Sequence, residues 1–489
     1  MLFCKTKRRF AITTILKLLY KSLHMKKRLI NSLRPLTAAA AFCVAVISCH
    51  AATYEFNADH GVINLPENWL ADGSPATALP GAADNAIINN KYVYFDYITY
   101  PNFVLEVNNL TLLNDARLAP SEYDESQMNY WVLKAPSLKV NGTLTANGGD
   151  VCLGRYKYEQ FRNISVGEDF LISNVAKASF IGGAWETYNT NNPSFRVQGS
   201  IIFSDSGGVT SHRLVADYAS GNCEAYYKIG GLDSSNAGKT SITNGNEGTG
   251  ITRIEFAQAD SGKYAGTFQG GYFRGFVGIF AQTSPGFEFI MNDTSGSGSR
   301  QTLRFDASHK GEYDKTSDIH AVVRSGHLEV YGSKSDGLKS LLIEDGLFGA
   351  AGENINTEIG TAEFERITWY SEAKIQISLD FNSLTSDFIS ADSLALDPAT
   401  PNDLFEFIFD YIGDFDDSRE FAIFTADNLS DEMLEKFTGK TADGLHEAKF
   451  AIKNGNLVVS GFNNIPEPAA VAAIMGAFAV LIAARRRKA

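Results

Sequence analysis

Short runs of alternating apolar and polar residues recur along the first half of the chain and follow one template. Each run has an apolar residue, a polar residue, a valine, a turn rich in Gly or Asn, and a second short strand; the runs cover 105–110, 138–144, 164–171 and 195–201. Val107, Val140, Val166 and Val197 are 33, 26 and 31 residues apart, which is the size of a solenoid turn with variable loops. Alternation places every second side chain inward, so the pattern predicts stacked β turns.

The segment before these runs has the pattern of an end cap. Residues 52–104 contain Trp69, two Pro/Gly turns and Asp84, which leads into an apolar strand. Trp69 can cover the open end of a stack while the turns steer the chain into its first strands. We therefore predict an N-terminal cap at 52–104 and a β-solenoid at 105–335.

The pattern of apolar and polar residues changes beyond residue 336. Strands are predicted at 374–381, 404–412, 420–425 and 456–461. Ser430 is expected to cap a short helix with Asp431 and Glu432 in its first turn, and Gly439 lies beyond its end. We interpret 336–465 as a C-terminal β cap, which a solenoid needs to protect its last edge.

The two ends of the chain differ from its body in charge. The formal net charge is −13, from 43 Lys and Arg against 56 Asp and Glu. Residues 1–52 carry ten basic residues and 469–489 carry four, with no acidic residue in either, so the rest has 43 − 14 = 29 basic residues against 56 acidic, or −27. A body this acidic repels nucleic acid and anionic membrane surfaces, and we expect no nucleic-acid partner.

The sequence of the N-terminal end is typical of a secretion signal. Met25 begins a basic region with Lys26, Lys27, Arg28 and Arg34, which an Ala-rich apolar stretch follows, and cleavage is predicted after Ala51. The leader and signal peptide thus span 1–51, with the true start at Met25. A lipoprotein box that ends at Cys49 is an open alternative, and the Arg8–Arg9 doublet is a weaker one.

The C-terminal end joins three features in a fixed order. Pro466, Glu467 and Pro468 are followed by sixteen uncharged residues from 469 to 484 and then by the basic run Arg485, Arg486, Arg487 and Lys488. Sixteen helical residues reach ~24 Å, slightly less than a bilayer core, and the basic run places this end on the cytoplasmic side. The prolines keep the preceding backbone extended.

This tail, 466–489, resembles a PEP-CTERM sorting domain. The resemblance implies that an exosortase-like membrane enzyme recognises Pro466, Glu467 and Pro468, that Arg485 to Lys488 act as a cytoplasmic retention signal, and that this chain is the substrate. The short strands at 264–270 and 326–332 resemble autotransporter-associated β repeats. The expected fold class is all-β: a right-handed parallel β-helix or solenoid with a C-terminal β cap, an N-terminal signal helix and a C-terminal transmembrane helix.

The sequence contains no catalytic or metal-binding pattern that a structural role does not explain better. His320 and His327 lie seven residues apart and are interpreted as satisfied or exposed histidines. The acidic group Asp410, Asp414, Asp416 and Asp417 favours a solvated turn over a Ca²⁺ loop. Cys152 and Cys223 form either a disulfide or two buried thiols. We predict no catalytic residue, no cofactor and no metal site.

The expected function is therefore that of an exported surface or extracellular-matrix structural protein, not an enzyme. It is expected to be exported by the general secretory route, to be held transiently in the inner membrane by its C-terminal helix, and then to reach the cell surface or matrix, with extracellular polysaccharide as a further possible partner. One alternative is a secreted carbohydrate-binding or carbohydrate-active protein, for which Tyr92, Tyr94, Phe95, Tyr97 and Tyr100 could form a sugar-stacking face. Another, an autotransporter passenger or adhesin, is disfavoured because the chain ends in one apolar segment.

Overall fold

The computed structural model of the protein describes most of the chain between residues 51 and 465. The described residues are 51–96, 99–100, 102–119, 136–153, 163–180, 195–204, 212–216, 225–234, 240–244, 252–257, 262–264, 267–269, 286–293, 296, 298, 300–305, 318–353 and 358–465. Their regular structure is almost entirely β-strand, with one turn of α-helix, α1 (Asp431–Leu434), and 3₁₀ turns at Pro66–Asn68 and Lys334–Asp336. The predicted signal and transmembrane helices lie outside the described residues.

The described strands of the first half range from two to eleven residues. They are β1 (Thr53–Phe56), β2 (His60–Val62), β3 (Trp69–Ala71), β4 (Ser74–Pro75), β5 (Asn85–Asn89), β6 (Tyr92–Tyr94), β7 (Val104–Val107), β8 (Asn109–Leu113), β9 (Arg117–Ala119), β10 (Ser137–Val140), β11 (Leu144–Leu153), β12 (Asn163–Val166), β13 (Phe170–Phe180), β14 (Phe195–Ser204), β15 (His212–Ala216), β16 (Ala225–Ser234), β17 (Thr240–Asn244), β18 (Thr252–Phe256), β19 (Gly262–Tyr264) and β20 (Thr267–Gln269).

The remaining described strands belong to the second half of the chain. They are β21 (Phe287–Asn292), β22 (Arg300–Arg304), β23 (Ile319–Ser325), β24 (His327–Tyr331), β25 (Leu338–Ile343), β26 (Leu347–Ala350), β27 (Thr361–Tyr370), β28 (Lys374–Asp380), β29 (Thr385–Ser386), β30 (Phe388–Asp397), β31 (Phe405–Ile412), β32 (Phe421–Ala426), β33 (Phe437–Thr441), β34 (His446–Lys453) and β35 (Asn456–Asn464).

These strands stack in parallel along three sides, which we name A, B and C. Side A runs β7, β10, β12, β14, β16, β18, β21, β23, β25, β27, β30. Side B runs β1, β5, β8, β11, β13, β14, β16, β19, β22, β24, β26, β28, β31, β33. Side C runs β2, β6, β9, β11, β13, β15, β17, β20 and, later, the starts of β27 and β30 with β32. The predicted all-β solenoid is confirmed.

The repeated valines align on side A. In the register of β7, β10, β12 and β14, Val140 pairs with both Val107 and Val166, and Val166 pairs with Val197. All four side chains are buried, and Ile229 of β16 continues the row. The sequence template thus marks one inward position of successive turns.

Glycine at the corner after Val140, Val166 and Val197 is required by close approach between neighbouring turns. A Cβ at Gly142 would lie 2.4 Å from Asn109 Oδ1, one at Gly167 would lie 2.2 Å from the Asn141 carbonyl oxygen, and one at Gly199 would lie 2.2 Å from Asp169 Oδ1. These distances are far below van der Waals contact. The corners are further held by side chains, since the Ser200 backbone N–H donates to Asp169 Oδ1 at 2.8 Å.

Antiparallel strands close both ends of the stack. At the start, β3 pairs antiparallel with β1 and with β4, and the Trp69 ring is buried against Phe56 with ring centroids 5.2 Å apart. At the other end, β35 pairs antiparallel with β32 and β34. Antiparallel pairing thus covers the outer edge of β1 at the start and of β32 at the other end.

The segment predicted as a C-terminal cap is mostly further turns of the solenoid. Parallel stacking continues through β25 to β33, and antiparallel pairing of the closing hairpin begins only with β34. The predicted helix is confirmed as α1, where Ser430 Oγ accepts from the Met433 backbone N–H at 3.3 Å. It ends at Leu434, before Gly439, which lies in β33. The domain boundaries themselves stay a prediction.

Candidate functional site

Ionisable side chains converge on the outer surface of side B. Arg300 and Thr302 of β22 lie beside His327 and Glu329 of β24, because the strand register pairs Arg300 with His327 and Thr302 with Glu329. We call these four residues the Glu329 cluster. Arg300 Nη2 donates to Glu329 Oε1, and Thr302 Oγ1 donates to Glu329 Oε2 at 2.9 Å. Glu329 is only 6% exposed, so its charge is balanced by a guanidinium and a hydroxyl.

His327 completes the cluster as a buried neutral imidazole. It is 8% exposed, and burial lowers the pKa of its imidazole to about 3, with the nearby Arg300 charge acting in the same direction. Its Nε2 lies 3.7 Å from Glu329 Oε1, and among the described residues this nitrogen has no hydrogen-bond partner. A Cβ at Gly349 would lie 3.3 Å from the same atom. The expectation of a satisfied or exposed histidine is therefore wrong for His327.

His320 has the expected environment. Its Nδ1 is 2.8 Å from Ser340 Oγ, and its side chain is half-buried on side A. The two histidines therefore lie on different sides of the solenoid, since β23 belongs to side A and β24 to side B.

Asp387 is a second buried carboxylate in the same part of the fold. Its Oδ1 accepts from the Gly360 backbone N–H and its Oδ2 from the Ser378 backbone N–H, both at 2.7 Å. It is 2% exposed, and burial raises the pKa of its carboxyl to about 7, while the charge of Glu329 acts in the same direction. The carboxyl therefore joins three segments of chain through the backbone.

The acidic group predicted near residue 410 divides into two environments. Asp410 is half-buried on β31, where Gln376 Nε2 donates to it and burial raises its pKa. Asp416 lies in the turn after β31 and accepts from Ser418 Oγ at 2.6 Å and from Arg419 Nε at 2.8 Å. That turn matches the predicted solvated loop, whereas Asp410 does not belong to it. No group of three or more His, Cys, Asp or Glu suited to a metal ion occurs among the described residues.

The geometry limits what these carboxyls can do chemically. Both oxygens of Glu329 are engaged by Arg300 and Thr302, and both oxygens of Asp387 are engaged by backbone N–H groups. A general acid or base must lie within hydrogen-bond reach of a substrate proton, and Glu329 and Asp387 are only 6% and 2% exposed. In this arrangement the carboxyls instead link neighbouring turns and the segment around Gly360.

Aromatic rings lie close together on a different surface of the solenoid. On side C, the His60 ring lies 4.8 Å from the Tyr92 ring and 5.2 Å from the Tyr94 ring, measured between centroids. Val93, between the two tyrosines, points inward and is buried, so Tyr92 and Tyr94 point outward. Phe95 is buried instead, and Tyr97 lies outside the described residues. The predicted aromatic face is therefore narrower than the sequence suggested.

Of the residues predicted for export and sorting, the structure describes only Ala51. Ala51 is exposed and lies two residues before β1. Pro466, Glu467 and Pro468, Arg485 to Lys488, Cys49 and Cys223 lie outside the described residues, so the sorting motif, the lipoprotein alternative and the disulfide question stay predictions. Within the described residues, no helix is both long and apolar enough to span a membrane.

Comparison of the chain with protein-family models, with curated proteins and with solved structures finds no match in any of the three.

The titration of Asp387 gives a testable prediction. Because the pKa of this carboxyl is about 7 in the folded protein against an ordinary 3.8, the folded chain holds a proton that the unfolded chain releases between these values. Stability contributed by the protonated group is complete below pH 4 and is lost as the pH rises towards 7, on the order of 1 kcal/mol per pH unit. We expect Asp387→Asn to reduce this slope, measured from guanidinium unfolding at pH 4 to 8.

The exposed Asp392 is the matched control for this test. It lies in β30, five residues after Asp387, and contacts Lys334. Asp392→Asn should leave the pH dependence of the unfolding midpoint unchanged. An Asp387→Asn protein with the same slope as the parent would rule out the assigned titration.

Proposed function

We propose that this chain is an exported, non-enzymatic structural protein of the bacterial surface or extracellular matrix. Its β-solenoid body is delivered through the inner membrane and sorted by an exosortase-like enzyme through the C-terminal tail. The finer features of the fold class belong to this proposal: right-handed coiling, which is the rule for parallel crossovers, and helices at the signal and the tail.

The proposal is carried by the sequence of the tail and by the point in the chain at which the folded body ends. The Ile465 backbone N–H donates to the Leu445 carbonyl at 2.8 Å, so the closing hairpin holds the chain up to the residue before Pro466. The Pro-Glu-Pro motif and the apolar run follow at once in the sequence. A motif that follows a folded cap directly in the sequence, and whose prolines favour an extended backbone, suits recognition by a membrane enzyme.

The body has properties that suit a durable extracellular scaffold. Ion pairs join neighbouring turns on the outer surface, such as Lys139 with Glu106 at 2.7 Å and Glu406 with Lys374 at 2.8 Å and Lys440 at 2.7 Å. Each exposed pair contributes little by itself, ~0–1 kcal/mol, but they repeat along the stack. Antiparallel closure at both ends limits end-to-end polymerisation.

Deletion of residues 466–489 tests the sorting claim. We expect the truncated body to accumulate in the periplasm or medium, whereas the full chain reaches the cell surface, as measured by cell fractionation and surface immunolabelling. Replacement of Glu467 by Gln is the finer variant, because it leaves the apolar run and the basic residues in place.

A matched control is substitution of Asn463 and Asn464 by Ser, just before the motif. This change keeps charge and should not alter localisation. Unchanged surface localisation after the deletion would contradict sorting by this tail.

A second candidate function, carbohydrate binding, is favoured by the aromatic surface on side C. His60, Tyr92 and Tyr94 present neighbouring rings on the outside of the solenoid, and aromatic rings are common platforms for the apolar face of a sugar. Double substitution of Tyr92 and Tyr94 by Ser should then weaken retention on a polysaccharide column. Retention equal to that of the parent chain would exclude this surface.

A further inference from the structure

A small cleft opens on the outer surface of side C in the second half of the solenoid. It has a volume of about 250 Å³, slightly below the roughly 300–1,000 Å³ of typical ligand pockets, so it can take one small ring. Its floor is formed by Thr361 and Glu363 of β27 and by Phe388 and Ser390 of β30, and its wall by the segment from Tyr331 to Asp336.

The wall of the cleft is held in place before any ligand arrives. Gly332 forms a parallel bridge with Ala362, and the Glu363 backbone N–H donates to the Gly332 carbonyl at 2.9 Å. Gly332 adopts a positive φ of 149°, and a Cβ there would lie 2.9 Å from the Phe305 carbonyl oxygen. This residue is thus confined to glycine, and the wall cannot shift outward without breaking the bridge.

The short 3₁₀ turn that follows is fixed by side chains. Asp336 Oδ2 accepts from the Ser333 backbone N–H at 2.8 Å and from Ser333 Oγ at 2.7 Å. Lys334 Nζ lies 3.2 Å from Glu363 Oε1 and also contacts Asp392. A cleft whose walls are ordered in advance loses little conformational freedom on binding.

The lining combines three kinds of group. Phe388 offers an apolar ring, Ser390 and Thr361 offer hydroxyls, and Glu363 and Asp336 offer carboxylates. The Lys334 ammonium contacts Glu363 of the lining and Asp392 beside it; with Asp336, which also lines the cleft, the formal charge of these four side chains is −3 + 1 = −2. Such a lining matches a sugar ring that has an apolar face, donor hydroxyls and a positive charge, and it repels acidic sugars.

We propose that this cleft binds one amino-sugar residue of an extracellular polysaccharide, with the ammonium group at Glu363 and the apolar face of the ring towards Phe388. This inference rests on the second candidate function, carbohydrate binding, and names a further site and a sugar class for it. It is distinct from the aromatic surface of His60, Tyr92 and Tyr94, which lies near the other end of side C.

The test is titration calorimetry of the full chain, purified in detergent, with a glucosamine trimer. A neutral glucose trimer and a galacturonate trimer serve as comparison probes. We expect the glucosamine trimer to bind most tightly, the glucose trimer at least about tenfold more weakly because it lacks the charge-assisted bond, and the galacturonate trimer not at all. Absence of binding by the glucosamine trimer, or equal binding of the galacturonate trimer, would overturn the proposal.

Two residues of the same strand provide a matched pair of variants. Glu363 and Glu365 both lie in β27, and each pairs with a lysine, Lys334 and Lys339 respectively, but only Glu363 lines the cleft. Glu363→Gln should weaken glucosamine binding about tenfold, while Glu365→Gln should leave it within about twofold. Equal losses in both variants would show non-specific attraction to an acidic surface and would refute the site.

A blocking variant gives an independent readout. Ser390→Trp should fill the cleft and abolish binding, and retained binding in this variant would also refute the site. Sorting does not enter these titrations, so failure of the cleft leaves the tail-deletion result standing, and failure of sorting leaves the titration standing.

Discussion

Substitution of Trp369 by Ala is expected to destabilise the protein by about 3–5 kcal/mol, the range for removal of a large buried aromatic side chain. The indole is fully buried in the last turns of the solenoid, with ring centroids 5.3 Å from Phe405, 5.1 Å from Phe407 and 6.1 Å from Phe437. Its Nε1 donates to the Ala373 carbonyl at 3.0 Å. The measurement is the guanidinium unfolding midpoint, followed by circular dichroism.

The effect is expected to be large because the ring joins strands of different sides. Trp369 belongs to side A, while Phe405 and Phe407 of β31 and Phe437 of β33 belong to side B. Removing the indole would leave a cavity that the rigid stack cannot close, and it would leave the Ala373 carbonyl without this donor.

The adjacent Tyr370 serves as the control. Its side chain points outward and is half-buried, so Tyr370→Ala should cost less than about 1 kcal/mol. Equal destabilisation by the two substitutions would contradict the placement of Trp369 in the interior.

Replacement of Gly167 by Ala is expected to cost about 1–3 kcal/mol through overpacking at a corner between turns. The added Cβ would lie 2.2 Å from the Asn141 carbonyl oxygen and 2.9 Å from its carbonyl carbon. Both contacts are to the backbone of the preceding turn, so no side-chain rotation relieves them. The same corner also contains the Gly167 backbone N–H that donates to the Val140 carbonyl at 2.8 Å.

Gly81 is the matched control for this substitution. A Cβ there would meet only Asp84 Oδ2, at 3.6 Å, which is ordinary contact. Gly81→Ala should therefore leave the unfolding midpoint nearly unchanged. A neutral Gly167→Ala would mean that the turns are farther apart at this corner than the structure has them.

Local pattern was sufficient to predict the repeat but not to place its ionisable residues. The spacing of Val107, Val140, Val166 and Val197 gave the turn length, because one inward position per turn must stay apolar. The sequence also indicated α1, since a helix cap depends on residues within one turn of each other. The alternation of β24 similarly placed His327 and Glu329 on one face, yet it could not say that this outer face is buried.

The Glu329 cluster could not be predicted from the sequence, because its members come from two strands separated by a variable loop. Arg300 and Thr302 meet His327 and Glu329 only through the register of β22 and β24. A shift of one residue would move every side chain of one strand to the other face. The nearest sequence signal was the alternation of Arg300, Thr302 and Arg304 with uncharged residues.

The sequence by itself determined the class of the body and the order of its parts, since alternation, spacing and turn residues act over a few positions. It also contains the two terminal patterns that predict a signal and a sorting tail, and the export proposal rests on them. Only the tertiary structure decided which turns stack, where parallel stacking ends, and which carboxyls are buried. These features depend on the register between segments tens of residues apart, and loops of variable length hide that register from any local pattern.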